Sequence, residues 1–394
     1  MNQTSSNQKY SLFSSKNLVL AGSIFWWFNL YLYVPILPIY SKESGASLQF
    51  VGIIIASYAI GQILFRIPIG YLSDKMKSRK LFSVFAALFS CLGSATLYLS
   101  SQPSEILIAR TITGIAAAGW VAISVYYSSF FAMNERSKSS TTILASNTFS
   151  VFAGTFCGGY LSDLYGLKIC FLLSFLSGAI ATVFFIISKE NKFVVQTKFS
   201  SSTFLKLMKN RVLIAFCIIG IFVQFNTFST TFSFFPIYLN NLGYSDSFIG
   251  NIVSFATLFT LVGTLSSPYF LKRMNFWRVA AVFSIPLAIC TLLTPYIDNI
   301  ILLILVRLMV GFSHGIIFSS IMGLIVKVFD QNYQASAMGI FQAVYAVGMF
   351  SGPFISGIIG DIYDINAVFI TSSIVVVGIF LIAYLMKSQK LINN

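Results

Sequence analysis

Twelve stretches of roughly 20 predominantly apolar residues run through this 394-residue chain, each closed by charges or by clusters of Pro, Gly, Asn and Ser. That length is what an α-helix needs to cross a hydrocarbon core about 30 Å thick. They fall near 17–40, 49–70, 81–100, 105–130, 141–162 and 167–188, then near 212–238, 248–270, 277–297, 299–328, 335–360 and 366–386. Only 9% of the residues are charged, against roughly 25% in soluble domains. The pattern predicts an all-α polytopic membrane protein and excludes a soluble enzyme with one anchor. The five cysteines all lie in apolar stretches without metal-ligand spacing, so they read as small core residues, and no metal or cofactor is expected.

The 25 Lys and Arg outnumber the 11 Asp and Glu, but their positions matter more than the sum. Cytoplasmic loops carry the excess of positive charge. With the amino terminus inside, twenty basic residues fall on the inner side and only Lys42 and Lys168 on the outer, while Arg66, Arg110 and Arg307 lie within helices. The expectation is a multi-pass protein of the cell membrane with both termini cytoplasmic. Its basicity suits anionic membrane lipid and not nucleic acid. The longest polar break, 189–211, is a basic cytoplasmic central loop between an N-terminal six-helix bundle (1–188) and a C-terminal one (212–394).

The two halves share a sequence pattern at an offset of 198 residues. Pro38-Ile39-Tyr40 recurs as Pro236-Ile237-Tyr238, and Gly45, Ser47, Phe50 and Gly52 recur as Gly243, Ser245, Phe248 and Gly250. Gly154, Gly159, Asp163 and Tyr165 correspond to Gly352, Gly357, Asp361 and Tyr363, and at offset 197 Arg110/Gly114 corresponds to Arg307/Gly311. Six helices is an even number, so both halves enter the membrane with the same polarity, as parallel repeats about an axis along the membrane normal.

The loop after the second helix, Gly70-Tyr71-Leu72-Ser73-Asp74-Lys75-Met76-Lys77-Ser78-Arg79-Lys80, resembles the GxLxD(R/K)xGRxx signature of the major facilitator superfamily of secondary transporters. It departs at Lys77, where the family usually has Gly, and the second-half copy carries Lys272 where Asp74 would align. The exit of helix 1, Pro35-Ile36-Leu37-Pro38-Ile39-Tyr40, and the Arg110/Gly114 pair resemble the twelve-helix drug exporter (drug:proton antiporter) branch. Helix 5 has Gly154, Gly158 and Gly159 where antiporters typically show GPxxGG, and Gly352-Pro353 in helix 11 retains the proline. The resemblance implies the major facilitator fold of twelve helices in two parallel repeats. It also implies a small-molecule substrate held near the midplane, alternating access, protons as a candidate coupling ion, and a monomer. Gly70, Asp74, Lys75, Arg79 and Lys80 would form a conformational latch. Gly154, Gly158, Gly159, Gly348, Gly352 and Pro353 would serve helix packing or hinging.

An Arg near mid-membrane costs about 2.5–3.5 kcal/mol on insertion scales, so each buried charge needs a reason. All eleven carboxylates fall in loops or at helix ends. Arg110, Arg307 and His314 are therefore the charged and titratable candidates for substrate or coupling, with His314 two turns after Arg307 on the same face. Arg66, one turn before Gly70, is expected to snorkel to the inner interface. Uncharged candidates are Trp26, Asn29 and Tyr33 on one face of helix 1, Gln224 and Asn226 in helix 7, Asn147 in helix 5, and Gln342 and Tyr345 in helix 11. Two functions stay open: export of small amphipathic organic compounds, favoured by the resemblance, and carriage of an organic anion, favoured by the intramembrane arginines. Gly311-Phe312-Ser313-His314-Gly315 matches GxSxG, but inside an apolar helix it lacks the strand-to-helix turn a nucleophile needs, so no enzyme activity is expected.

Overall fold

The computed structural model describes residues 14–131, 136–190, 207, 209–329 and 331–387. Among them every regular element is helical, and the helices form twelve spans. The first half comprises α1 (Ser15–Tyr31, resuming as Leu37–Glu43), α2 (Leu48–Lys75), α3 (Arg79–Leu99), α4 (Pro103–Ala118, continued as Trp120–Ser128), α5 (Arg136–Tyr165) and α6 (Lys168–Ile187). The second comprises α7 (Arg211–Asn226, then Thr227–Phe234 and Phe235–Asn241), α8 (Asp246–Arg273), α9 (Phe276–Leu293), α10 (Ile300–Val328), α11 (Gln331–Ile362) and α12 (Ile365–Leu385). Ten of these are long and apolar enough to cross a membrane. The other two are α1, interrupted after 17 residues, and α5, which opens on the polar run RSKSSTT. Most of the expected 189–211 loop lies outside the described residues.

Side chains at the helix starts take up orphan backbone N–H groups. Ser47 accepts from Phe50 N at 3.2 Å and its repeat partner Ser245 from Phe248 N at 3.3 Å. Just before each, Gly45 (φ 95°) and Gly243 (φ 84°) turn the chain through the left-handed region that glycine enters without steric cost.

Helices 1 and 7 depart from the unbroken spans expected of them. In α1 the ring of Pro35 lacks an N–H and would strike the carbonyl of Tyr31, so the helix stops there and resumes at Leu37. The turn is closed by Val34 N to Tyr31 O and by Leu37 N to Tyr33 O. In α7 the run TFSTTFSF winds as a π-helix up to Pro236, with Phe235 N reaching back to Thr230 O. Residues 29–36 and 227–234 are equivalent at the 198-residue offset, so both repeats are irregular at one level.

Close backbone approach ties the spans together. A Cβ on Gly154 or Gly158 would press on α1 at Leu32, and one on Gly348 or Gly352 would press on α7 at Ile221 or Phe225. Between the halves, α2 packs on α11 and α5 on α8. A Cβ on Gly250 would lie 2.7 Å from Gly159 Cα, and one on Gly52 would lie 3.1 Å from Gly357 Cα. The same residues recur in both interfaces, related by the offset. At the end of the bundle opposite Ser15 and Leu385, Asp361 closing α11 accepts from Leu48 N at 2.8 Å and Gln49 N at 2.9 Å at the start of α2. Asp163 closing α5 accepts from Asp246 N at 3.2 Å and from Ser247 N at the start of α8. Each half thus caps a helix of the other with a carboxylate, the favourable sign for a helix N-terminus.

Two outcomes follow from this geometry. A carboxylate at a helix N-terminus is worth about 0.3–1 kcal/mol, and two together shift an equilibrium roughly three- to thirtyfold. With Asp163→Asn and Asp361→Asn combined in a chain whose five native cysteines are replaced by alanine, a single cysteine placed at Thr155, which bonds Ser254 across the α5–α8 interface at 2.8 Å, should react with a water-soluble maleimide several-fold faster than without the two Asn changes. The second outcome concerns Lys77, which sits at φ 52° in the tight turn after α2. Left-handed geometry costs an L-residue about 1–2 kcal/mol, so Lys77→Gly should melt at or above the parent temperature while Lys77→Val melts lower.

Candidate functional site

A cavity of about 220 Å³ lies between the halves at mid-bundle. The first half contributes Tyr31 from α1 and Asn147, Thr148 and Val151 from α5. The second half contributes Gln224, Thr227, Phe228, Thr231 and Phe232 from α7, Ala256, Thr257, Thr260, Leu261 and Thr264 from α8, and Val310, Gly311 and His314 from α10. Four of the α7 residues belong to the π-helical stretch, whose wider winding displaces side chains relative to an α-helix. Irregular backbone at this depth is tolerated where it is buried in protein or lines a cavity. The lining is hydroxyl, amide, imidazole, aromatic and aliphatic, with neither carboxylate nor guanidinium among its residues.

Of the residues expected at such a site, Asn147, Gln224 and His314 are on the wall. His314 Nδ1 lies 2.6 Å from the hydroxyl of Thr227, whose one hydrogen has either that nitrogen or Val223 O at 3.1 Å within reach. Arg307 shares a helix face with His314 in sequence but is fully buried behind the wall. Its Nη2 donates to Thr231 at 2.6 Å, and its guanidinium lies 4.3 Å from the centroid of Phe235. Arg110 is likewise buried, with Nη1 donating to Tyr33 at 3.4 Å and the guanidinium 4.1 Å over the ring of Tyr58. Tyr33 and Thr231 are equivalent at the offset of 198. Both arginines therefore brace the irregular segment of the first helix in their own half, by the same contact. Cation–π contact worth up to about 2 kcal/mol when desolvated offsets part of their burial cost.

The face of α1 expected to meet substrate turns into the first half instead. Trp26 donates to Ala86 O at 3.4 Å and stacks with Trp120, and Asn29 donates to Ser94 at 3.0 Å and to Ser174 O. Asn226 of α7 is fully buried against α9, accepting from Thr291 at 3.2 Å. These side chains are held inside their own halves, and the helical spacing that grouped them marks packing positions. The α1 residue that does line the cavity is Tyr31, whose ring meets Phe232 of the other half edge-on at 5.9 Å.

Arg66 does not snorkel. It crosses from α2 to α11, donating to Gln342 O and to the Tyr345 hydroxyl, each at 3.2 Å, and to Gln62 on its own helix. Gln342 and Tyr345 thus receive a strut between the halves and are not part of the cavity lining. The α2–α3 cluster is bound within the first half. Asp74 pairs with Arg79, Arg79 also reaches Ser73 and Gly70 O, and Lys80 holds Ile186 O and Ser188 O at the end of α6. Glu190 accepts from Lys80 N at 3.0 Å and from Arg79 N. Lys75 is exposed. Gly70 has room for a Cβ, with Val121 at 3.7 Å, so packing does not require glycine there. Pro353 lies inside α11, with its carbonyl facing Gly52.

The threonines of the wall were missed in the sequence reading, although a signal exists. Thr257, Thr260 and Thr264 recur at i, i+3 and i+7 in an otherwise apolar stretch of α8, which places three hydroxyls on one face. Gly311 and Gly315, the glycines of the GxSxG match, pack against Ala256 O and Thr260 O of that helix. They belong to an uninterrupted α10, and the match is a packing pattern.

Residues 19–300 and 279–392 match the family model described as Major Facilitator Superfamily. An uncharacterised MFS-type transporter of Methanocaldococcus jannaschii is 27% identical over 361 residues, covering 89% of this chain and 92% of that protein. The multi-drug resistance efflux pump PmrA of Streptococcus pneumoniae is 24% identical over 362 residues, covering 88% and 89%. A bacterial homolog of the human lysosomal transporter Spinster, solved in an inward-facing and unoccupied conformation, superposes with a TM-score of 0.79 at 13% identity, covering 96% and 97%. The repeat-related halves, the mid-bundle cavity and the matched residues have one reading: this chain is a transporter of the major facilitator superfamily, a multi-pass membrane protein that carries a small molecule and not an enzyme.

Proposed function

We propose that this protein exports small amphipathic organic compounds by alternating access, with protons as the coupling ion. The observation that carries the reading is the mid-bundle cavity shared by both halves, lined by aromatic and uncharged polar groups. Such a lining suits ligands that are apolar over most of their surface and make a few hydrogen bonds. Similarity to a multi-drug resistance efflux pump points the same way. His314 is the only histidine in the chain and lies on the wall, which makes it the candidate proton carrier.

The units that rock are the halves 1–188 and 212–394, joined by the basic loop 189–211. Both termini are cytoplasmic in the cell membrane on the distribution of Lys and Arg, the basic inner surface meets anionic lipid, and the working unit is a monomer. The end joined by Asp163 and Asp361 is then extracellular, and the conformation is closed on that side. The Asp74 cluster serves as a latch that engages the second half when the cytoplasmic side closes. A second reading, an organic anion carrier, draws on the Arg307 charge one side chain behind Thr231.

Proteoliposomes holding the purified protein should accumulate an amphipathic fluorescent dye against an imposed proton gradient, with saturation and with counterflow by unlabelled dye. His314→Gln is expected to abolish gradient-driven accumulation and to retain counterflow. Accumulation of an organic anion with no transport of dye would establish the second reading in place of the first.

A further inference from the structure

Three hydroxyl groups of the cavity wall are oriented by their own helices. Thr148 donates to Leu144 O at 3.0 Å, Thr257 to Val253 O at 2.9 Å and Thr260 to Ala256 O at 3.1 Å. A hydroxyl has one hydrogen and two lone pairs, so these three present acceptor oxygen to the cavity. Thr231 is arranged in the opposite sense. It accepts from Arg307 Nη2 at 2.6 Å, which leaves its own hydrogen for the cavity and polarises it toward donation. The aromatic side is the edge-on pair of Tyr31 and Phe232.

On the reading that this cavity is the substrate site, we infer that it selects a neutral, ring-bearing solute that brings N–H or O–H donors to the threonine wall and one acceptor to Thr231. A carboxylate would meet the lone pairs of these three threonine oxygens. An ammonium group would find no carboxylate among the lining residues and would approach the buried Arg307 charge. A donor-bearing neutral group meets neither penalty. Sites built to hydrogen-bond a ligand donor reject the analogue that lacks it, because the buried acceptors are then left unpaired. Arg307 is a positioning residue here: it acts through Thr231.

The test is a matched series on one naphthalene ring: the carboxamide, the N,N-dimethylcarboxamide, the carboxylate and the methylammonium compound. Each is titrated calorimetrically into the full-length protein in detergent. The carboxamide should bind tightest, with the dimethylcarboxamide about tenfold weaker and both charged members weaker still. Thr257→Val with Thr260→Val should bring the two amides to equal affinity, while the Thr→Ser pair keeps them apart. Thr231→Val should weaken both amides by the same factor, and because it leaves Arg307 in place it tests the relay without the folding risk of an arginine variant. Tightest binding by either charged member, an amide ratio unmoved by the valine pair, or no binding by any member would overturn the inference. Dye counterflow in proteoliposomes separates the two claims. Dye transport with a failed amide series removes this inference alone, and a correct amide ranking without dye transport removes only the export reading.

Discussion

Every backbone N–H and C=O at membrane depth has to find a partner inside the protein, because the surrounding hydrocarbon offers none. Twelve helices are the general answer, and the structure departs from it in the first helix of each half. There the helix is interrupted by Pro35 at Leu32–Ile36 or overwidened before Pro236 at Thr227–Phe234. Both departures lie inside the bundle, and an arginine from the fourth helix of the same half reaches each, Arg110 to Tyr33 and Arg307 to Thr231. The irregular backbone and the buried charge therefore belong to one device, present twice because the half is present twice. The cavity forms against the second copy, where the π-helical turn turns threonine and phenylalanine side chains inward.

Lipid tails are as apolar as leucine, so burial alone does not drive these helices together. Close approach supplies the attraction through dispersion and backbone contact, and it needs glycine where main chains touch. The α2–α11 and α5–α8 interfaces each place glycine against glycine, Gly52 on Gly357 and Gly250 on Gly159. Aspartate caps at one end then fix the register of both. The two surfaces on which the halves meet are thus equivalent in sequence.

Much of this was legible in the sequence. The spans, the repeat, and the matching of Gly45 with Gly243 and of Asp163 with Asp361 all rest on local chemistry or on comparison of the chain with itself. What the two aspartates touch was not legible, since their partners lie 83 to 313 residues away in the other half. The face of α1 was misjudged for a physical reason. In a soluble helix polarity separates inside from outside, but here bundle interior and lipid are both apolar, so Trp26, Asn29 and Tyr33 carry no mark saying which neighbour they meet. Polar residues in such a helix satisfy hydrogen bonds within the half as readily as they greet a ligand. The Lys77 departure from the family pattern was visible, and its meaning as a left-handed position required φ.

The arginines show what a count of charges leaves out in a membrane. Three intramembrane guanidinium groups without buried carboxylates look like an anion site when read as a list. In the fold each is held by aromatic faces, hydroxyls and carbonyls: Tyr33 and Tyr58 for Arg110, Phe235 and Thr231 for Arg307, Gln342 O and Tyr345 for Arg66. None presents its head group to the cavity as a first contact. Their influence on a substrate passes through the hydroxyl they hold, as with Thr231, or through the angle between halves, as with Arg66. A positive charge placed one side chain behind a cavity wall orients hydrogen bonds in that wall without offering an ion pair, as Arg307 does through Thr231.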